Sequence, residues 1–116
     1  MVEVVLEIAD IRKGYRGTLE IVRDVLLVVE GAGDSGSKKT HIMYGANLSY
    51  KLLTRYLKEV LDAGLIREGE SCYVITDKGK RFLQAYGEYE KKRAEMEERV
   101  NYLNSGRETL EKMLEC

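Results

Sequence analysis

Between Ser35 and Lys58 the chain carries five cations, Lys38, Lys39, Lys51, Arg55 and Lys58, and no acid, although 20 Asp and Glu lie elsewhere. Segregated positive charge suits an anion that repeats, such as a phosphate backbone. A solvated lysine face is the plain alternative. Other chemistries find no footing. His41 is the single histidine, and Cys72 and Cys116 stand far apart, so no metal site is expected. No paired carboxylates and no nucleophile with a neighbouring base stand out, so neither enzyme activity nor a cofactor is expected. Gly31 and Gly36 have the separation of a phosphate-cradling loop. Ser37, however, stands where that loop needs lysine, and a helix precedes it instead of a strand.

The elements that must position these cations can be read from spacing. Residues 38–63 read as two short helices joined by Gly45-Ala46-Asn47, a helix-turn-helix. Ser49 is the expected N-cap of the second helix, because its hydroxyl can accept an orphan backbone N–H. Leu48 and Leu53 have hydrophobic-staple spacing. Leu53, Tyr56, Leu57, Val60 and Leu61 then share one face, and Lys51, Thr54, Arg55 and Lys58 the opposite one. Upstream, Thr18 is the expected cap of an earlier helix that buries Leu19, Val22, Leu26 and Val29 and ends near Gly31. Gly31–Gly36 is expected to be a flexible loop. Gly64 fits the residue just past a helix end. Strands are expected at 65–67 and 71–75 around the turn Glu68-Gly69-Glu70, with Cys72 packed in the sheet. Helix, turn, helix and hairpin make a winged helix. Acids at the wing tip repel phosphate, so little beyond Arg67 is expected from the wing. Residues 2–8 are rich in β-branched types and are read as an edge element. Residues 10–17, with Arg12, Lys13 and Arg16, are read as a linker.

Thr76 is the expected cap of the last helix. From there Phe82, Tyr86, Tyr89, Arg93, Met96, Val100, Leu103, Arg107, Leu110 and Leu114 alternate spacings of four and three, a heptad seam. About 35 such residues make a rod of roughly 50 Å. A rod that long cannot bury its seam on a small domain, and the economical partner is a second copy. All ten seam residues are therefore assigned to a homodimer interface. Arg93 and Arg107 within it set register or reach past it. Asn104-Ser105-Gly106 is weak helix sequence, but the unbroken phase favours continuity. Glu90, Glu97 and Glu111 at e positions, with Lys92 and Arg99 at g, weakly favour a parallel pair.

The whole chain of 116 residues has net charge −1, with 44% hydrophobic and 34% charged residues and no proline. Near-neutral charge argues against coating nucleic acid by bulk attraction, though not against a local docking face. The absence of proline agrees with a mainly helical chain. No apolar run is long enough to span a bilayer and no secretory signal is visible, so a cytoplasmic, nucleoid location without membrane contact is expected. The expected organisation is an N-terminal extension over 1–17, a winged helix-turn-helix domain over 18–76 and a dimerisation helix over 77–116. The fold class is mainly α with a small β-hairpin.

The runs THIMYGANLSYKLL (40–53), YLKEVLDAGLI (56–66) and YVITDKGKRFL (73–83), followed by a long helix, resemble the small archaeal winged-helix DNA-binding proteins of about ten kilodaltons, a chromatin-type family. The resemblance covers roughly Thr18 to the C-terminus. It implies double-stranded DNA as partner and a dimer through an antiparallel coiled coil. That orientation is preferred to the parallel one, because exposed ion pairs contribute only a few tenths of a kcal/mol each. The near-neutral charge departs from a basic packaging protein.

A dimeric DNA-binding protein, either transcription regulator or nucleoid component, is the first reading. Its recognition helix would enter the major groove through Ser49, Tyr50, Lys51, Thr54, Arg55 and Lys58. Arg55 is placed to read guanine, and Lys51 and Lys58 to hold phosphates. Lys38, Lys39 and His41 would add backbone contacts, and Arg67 would reach from the wing. The competing reading is a winged-helix protein-interaction module tethered by the coiled coil.

Overall fold

The structure, a computed structural model, describes residues 16–115. The edge element read at 2–8, the linker cations Arg12 and Lys13, and Cys116 lie outside them.

Helix α1 (Thr18–Ala32) buries Ile21, Val22, Val25, Leu26 and Val29 along one stripe. Gly17, not Thr18, occupies the cap position, and no side chain caps this end. Leu19 is exposed: it sits in the first turn at the edge of the stripe, beyond the end of the core. The helix runs on to Ala32 and tightens into a 3-10 turn at Gly33–Ser35. The glycine-rich stretch thus holds a 3-10 turn where a loop without regular structure was expected. Ser37 pairs antiparallel with Tyr73, each N–H donating to the other's carbonyl at 2.9 and 2.8 Å. Gly36 makes this approach possible. Its φ is 80°, and a Cβ there would lie 2.5 Å from Cys72 Sγ.

Helix α2 (Lys39–Gly45) and helix α3 (Tyr50–Asp62) end in the same way. After α2, Asn47 N–H donates to Tyr44 O at 3.2 Å and Leu48 N–H to Met43 O at 2.9 Å. After α3, Gly64 N–H donates to Leu61 O and Leu65 N–H to Val60 O, both at 3.0 Å. Each is a Schellman closure, which needs one residue in the left-handed region. Gly64 supplies it after α3 with φ 76°, as its sequence position predicts. After α2 the residue is Asn47 with φ 53°, not the glycine of the turn. Gly45 instead ends α2 where a Cβ would stand 2.7 Å from Val28 Cγ2, so its role is to let α2 approach α1. Ser49 caps α3 as expected, accepting from Leu52 N–H at 3.2 Å. A cap of this kind contributes about 1 kcal/mol. Leu48 and Leu53 are both buried in the one core, with Tyr56, Leu57 and Val60.

Strands β1 (Ile66–Glu68) and β2 (Tyr73–Ile75) pair antiparallel, Ile66 opposite Ile75 and Glu68 opposite Tyr73. The hairpin is shifted from the sequence expectation. Glu68 belongs to the strand, and the turn is closed by Gly69 N–H to Cys72 O at 2.7 Å. Ser71, with φ 61°, takes the left-handed position. Cys72 therefore lies in the turn rather than in the sheet.

Helix α4 spans Asp77–Leu114, 38 residues without interruption, so the Asn104-Ser105-Gly106 stretch does not break it. At 1.5 Å per residue it is about 57 Å long, and it dominates the 71 × 26 × 22 Å extents of the chain. Thr76 caps it, accepting from Gly79 N–H at 3.1 Å while donating to Leu65 O at 2.9 Å. Its first turns close the core: Phe82 and Leu83 pack on the cluster, and Tyr86 is buried. The Arg23 guanidinium of α1 sits 5.1 Å from the centre of the Tyr86 ring. Burial raises the Tyr86 phenol above its usual pKa.

Candidate nucleic-acid interface

The amphipathic pattern of α3 fixes its orientation. The buried side carries Leu53, Tyr56, Leu57 and Val60, and Tyr50, Lys51, Thr54, Arg55 and Lys58 are exposed. Burying four large apolar groups contributes about 1.5–3 kcal/mol each as an upper estimate. The cationic face is thereby held outward by the core behind it. Ser49 is exposed but its hydroxyl serves the cap. Thr54 donates to Tyr50 O at 2.9 Å, within its own helix.

One acid stands closer than the sequence stretch suggested. Glu59, one residue past the acid-free run, lies 3.5 Å from Arg55, one helical turn away, and Asp62 is exposed at the same end. The Arg55 guanidinium also lies 5.2 Å from the Tyr56 ring centre. Arg55 is thus held along its own helix, and reaching a base edge means exchanging Glu59 for it. The charge on α3 is graded along the axis, with Lys51 at the start and acids at the end. That gradient favours contact through the first turns, where recognition helices meet the groove.

Lys38, Lys39 and His41 are exposed at the start of α2. Lys38 and Lys39 line a shallow groove with Thr40, Glu68, Ser71, Cys72 and Tyr73, so the start of α2 and the wing form one surface. Arg67 is exposed on β1 opposite Val74. Glu68 and Glu70 beside it are exposed as well, which leaves the wing mixed in sign.

Sequence reasoning passed over two features of this surface. Tyr44 near the end of α2 is 78% exposed, comparable with Tyr50 at 71%. Two exposed rings thus flank the turn between α2 and α3. The second is Arg16, read as part of a linker. Its Nη1 donates to Ala46 O at 2.8 Å and to Asp24 Oδ2 at 2.8 Å, and its Nη2 donates to Asn47 O at 2.9 Å. It clasps the turn between α2 and α3 from 30 positions upstream.

The seam residues divide. Phe82 and Tyr86 face the chain's own core, and Tyr89 is half-buried. Arg93 is also half-buried, hydrogen-bonded to Glu90 and to Glu97 Oε2 at 3.3 Å. The bond to Arg93 holds the Glu90 carboxyl below its usual pKa. Arg107 pairs with Glu111 at 2.9 Å. The glutamates expected to reach a facing helix are therefore engaged by arginines of their own. Beyond Arg93, Met96, Leu103, Leu110 and Leu114 are exposed and Val100 is half-buried. Among the described residues no helix is long and apolar enough to cross a membrane, and no group of acidic, His or Cys side chains could hold a metal ion.

A profile of the winged helix-turn-helix family matches residues 15–94. The chain is similar to the crystal structure of Sso10a-2, a DNA-binding protein from Sulfolobus solfataricus. The two are 27% identical with a TM-score of 0.55, and the match covers 87% of this chain and 99% of that one. Two proteins of Methanocaldococcus jannaschii are also similar, both uncharacterized. MJ0290 is 35% identical over 69 residues, 60% of this chain and 31% of that protein. MJ0287 is 26% identical over 70 residues, 60% of this chain and 69% of that protein. The match thus spans under a third of one relative's length and about two thirds of the other's.

Proposed function

This chain belongs to the winged helix-turn-helix family, and on that premise we propose that it binds double-stranded DNA as a homodimer, acting in transcription regulation or in the nucleoid. The first turns of α3 enter the major groove, and the outer half of α4 pairs two copies. The observation that carries the reading is α3 itself: an apolar face sealed in the core, with Lys51, Arg55 and Lys58 exposed on the other side. The DNA-binding description of Sso10a-2 supports it. Lys51 and Lys58 hold phosphates, Arg55 reaches a base edge, and Lys38, Lys39, His41 and Arg67 extend the backbone contacts. Ser49 sets the helix start, and Tyr50 and Thr54 border the contact. Residues 18–76 with the core-closing root of α4 form the DNA-binding unit, and the rest of 77–116 the pairing unit, with no cofactor and a cytoplasmic location.

The test is fluorescence anisotropy on a labelled duplex, with the double variant Lys51→Glu plus Arg55→Glu beside the parent. The parent is expected to bind with affinity that falls steeply with salt, and the variant to bind roughly 100-fold more weakly. Equal affinity of the two defeats the reading. Exposed Glu68 and Glu70 on the wing favour the alternative, a docking module for another protein. Failure of the parent to bind duplex at low salt selects that alternative.

A further inference from the structure

We infer that Arg16 is a positioning residue for the recognition helix, an inference that rests on the DNA-binding reading above. Its guanidinium donates to Ala46 O at 2.8 Å and Asn47 O at 2.9 Å, the two carbonyls just past the end of α2. Carbonyls at a helix end lack helical partners and gather at the negative end of the dipole, so a cation there satisfies both needs. The planar fork of arginine reaches two acceptors at once, which a lysine ammonium on its flexible stem does not reproduce. Asn47 holds φ 53°, the left-handed conformation that Asn adopts more readily than other non-glycine residues. Arg16 bonds to the carbonyl of that residue. Two positions later Ser49 caps α3, so the turn that Arg16 holds fixes where α3 begins and how it is aimed.

Arg16 is itself braced. Asp24 of α1 accepts from it at 2.8 Å and from Arg23 Nε at 3.0 Å. Arg23 in turn lies over the ring of Tyr86. A continuous set of contacts therefore runs from the turn before α3, across α1, to the root of α4. The Arg16–Asp24 pair is partly screened by water, at 34% and 21% exposure, so its value is mainly directional.

The experiment compares Arg16→Gln and Arg16→Lys with the parent by anisotropy on duplex DNA over a salt series. Amide hydrogen exchange is measured on the same proteins. Arg16→Gln is expected to bind roughly tenfold more weakly, because the turn no longer fixes the start of α3. Its slope of log affinity against log salt should stay unchanged, and Arg16→Lys should recover little. Exchange at Leu48–Leu53 should rise about tenfold while Val25 and Leu26 hold. Three binding results overturn the inference: unchanged affinity in Arg16→Gln, full recovery in Arg16→Lys, or a slope lower by about one, the mark of a direct phosphate contact. Unchanged exchange across the turn overturns it without reference to DNA. Should the parent bind no duplex, the DNA reading falls, and exchange alone decides whether Arg16 holds the turn.

Discussion

The two ends of α4 share one helix and one heptad rhythm, yet they meet opposite surroundings. Near the root, Gly79 touches the backbone of Leu65, and Phe82 and Tyr86 close the core. Toward the tip, Leu103, Leu110 and Leu114 stand 71%, 65% and 83% exposed. The same periodicity thus describes a face that its own domain covers and a face that none of the described residues covers. Periodicity reports that a stripe is apolar; length and contacts decide what can cover it. A stripe that outruns its domain by several turns is the physical argument for a second copy.

Three variants break or sharpen this contrast. The largest effect is expected from Leu103→Glu plus Leu110→Glu. Each leucine buried in a pair contributes about 1.5–3 kcal/mol, so association measured by sedimentation at tens of micromolar should vanish while the thermal transition of the domain stays. A variant that sediments like the parent ends the pairing proposal. Next is Gly79→Ala, whose Cβ would sit 2.2 Å from Leu65 O. The backbone must move, so a loss of about 2–3 kcal/mol in denaturant unfolding is expected. The smallest effect, of opposite sign, is expected from Gly106→Ala. Among the described residues nothing lies within 4 Å of that added Cβ, and alanine gains about 0.5–1 kcal/mol over glycine within a helix. A loss there would show that a neighbouring helix approaches position 106 too closely for a methyl group.

Legibility in the sequence tracked the range of the interactions. Ser49, Thr76 and Gly64 were legible because a cap or a C′ residue is decided within a few positions. The apolar face of α3 was legible because a 13-residue helix has one way to bury such a stripe. The role of Arg16 was not, because its acceptors lie 30 and 31 positions away. Which of Gly45-Ala46-Asn47 takes the left-handed position was not legible: it is Asn47, while Gly45 stands against Val28, a constraint set by helix packing. The Arg55–Glu59 pair is not evident from the order of charges along the chain, because a helix brings positions four apart side by side. Assigning Phe82 and Tyr86 wholly to a partner's interface shared that weakness: a heptad does not say which surface covers it.

Helix α4 runs about 42 Å from Tyr86 to Leu114, long enough to act as a lever. A swing of only about 6° where Tyr86 and Arg23 meet displaces the far tip by about 4 Å, more than the ~3.4 Å rise between neighbouring base pairs. The packing at the root, with Phe82 and Leu83 on the core and Arg23 over Tyr86, therefore bears on how closely the tip follows the head.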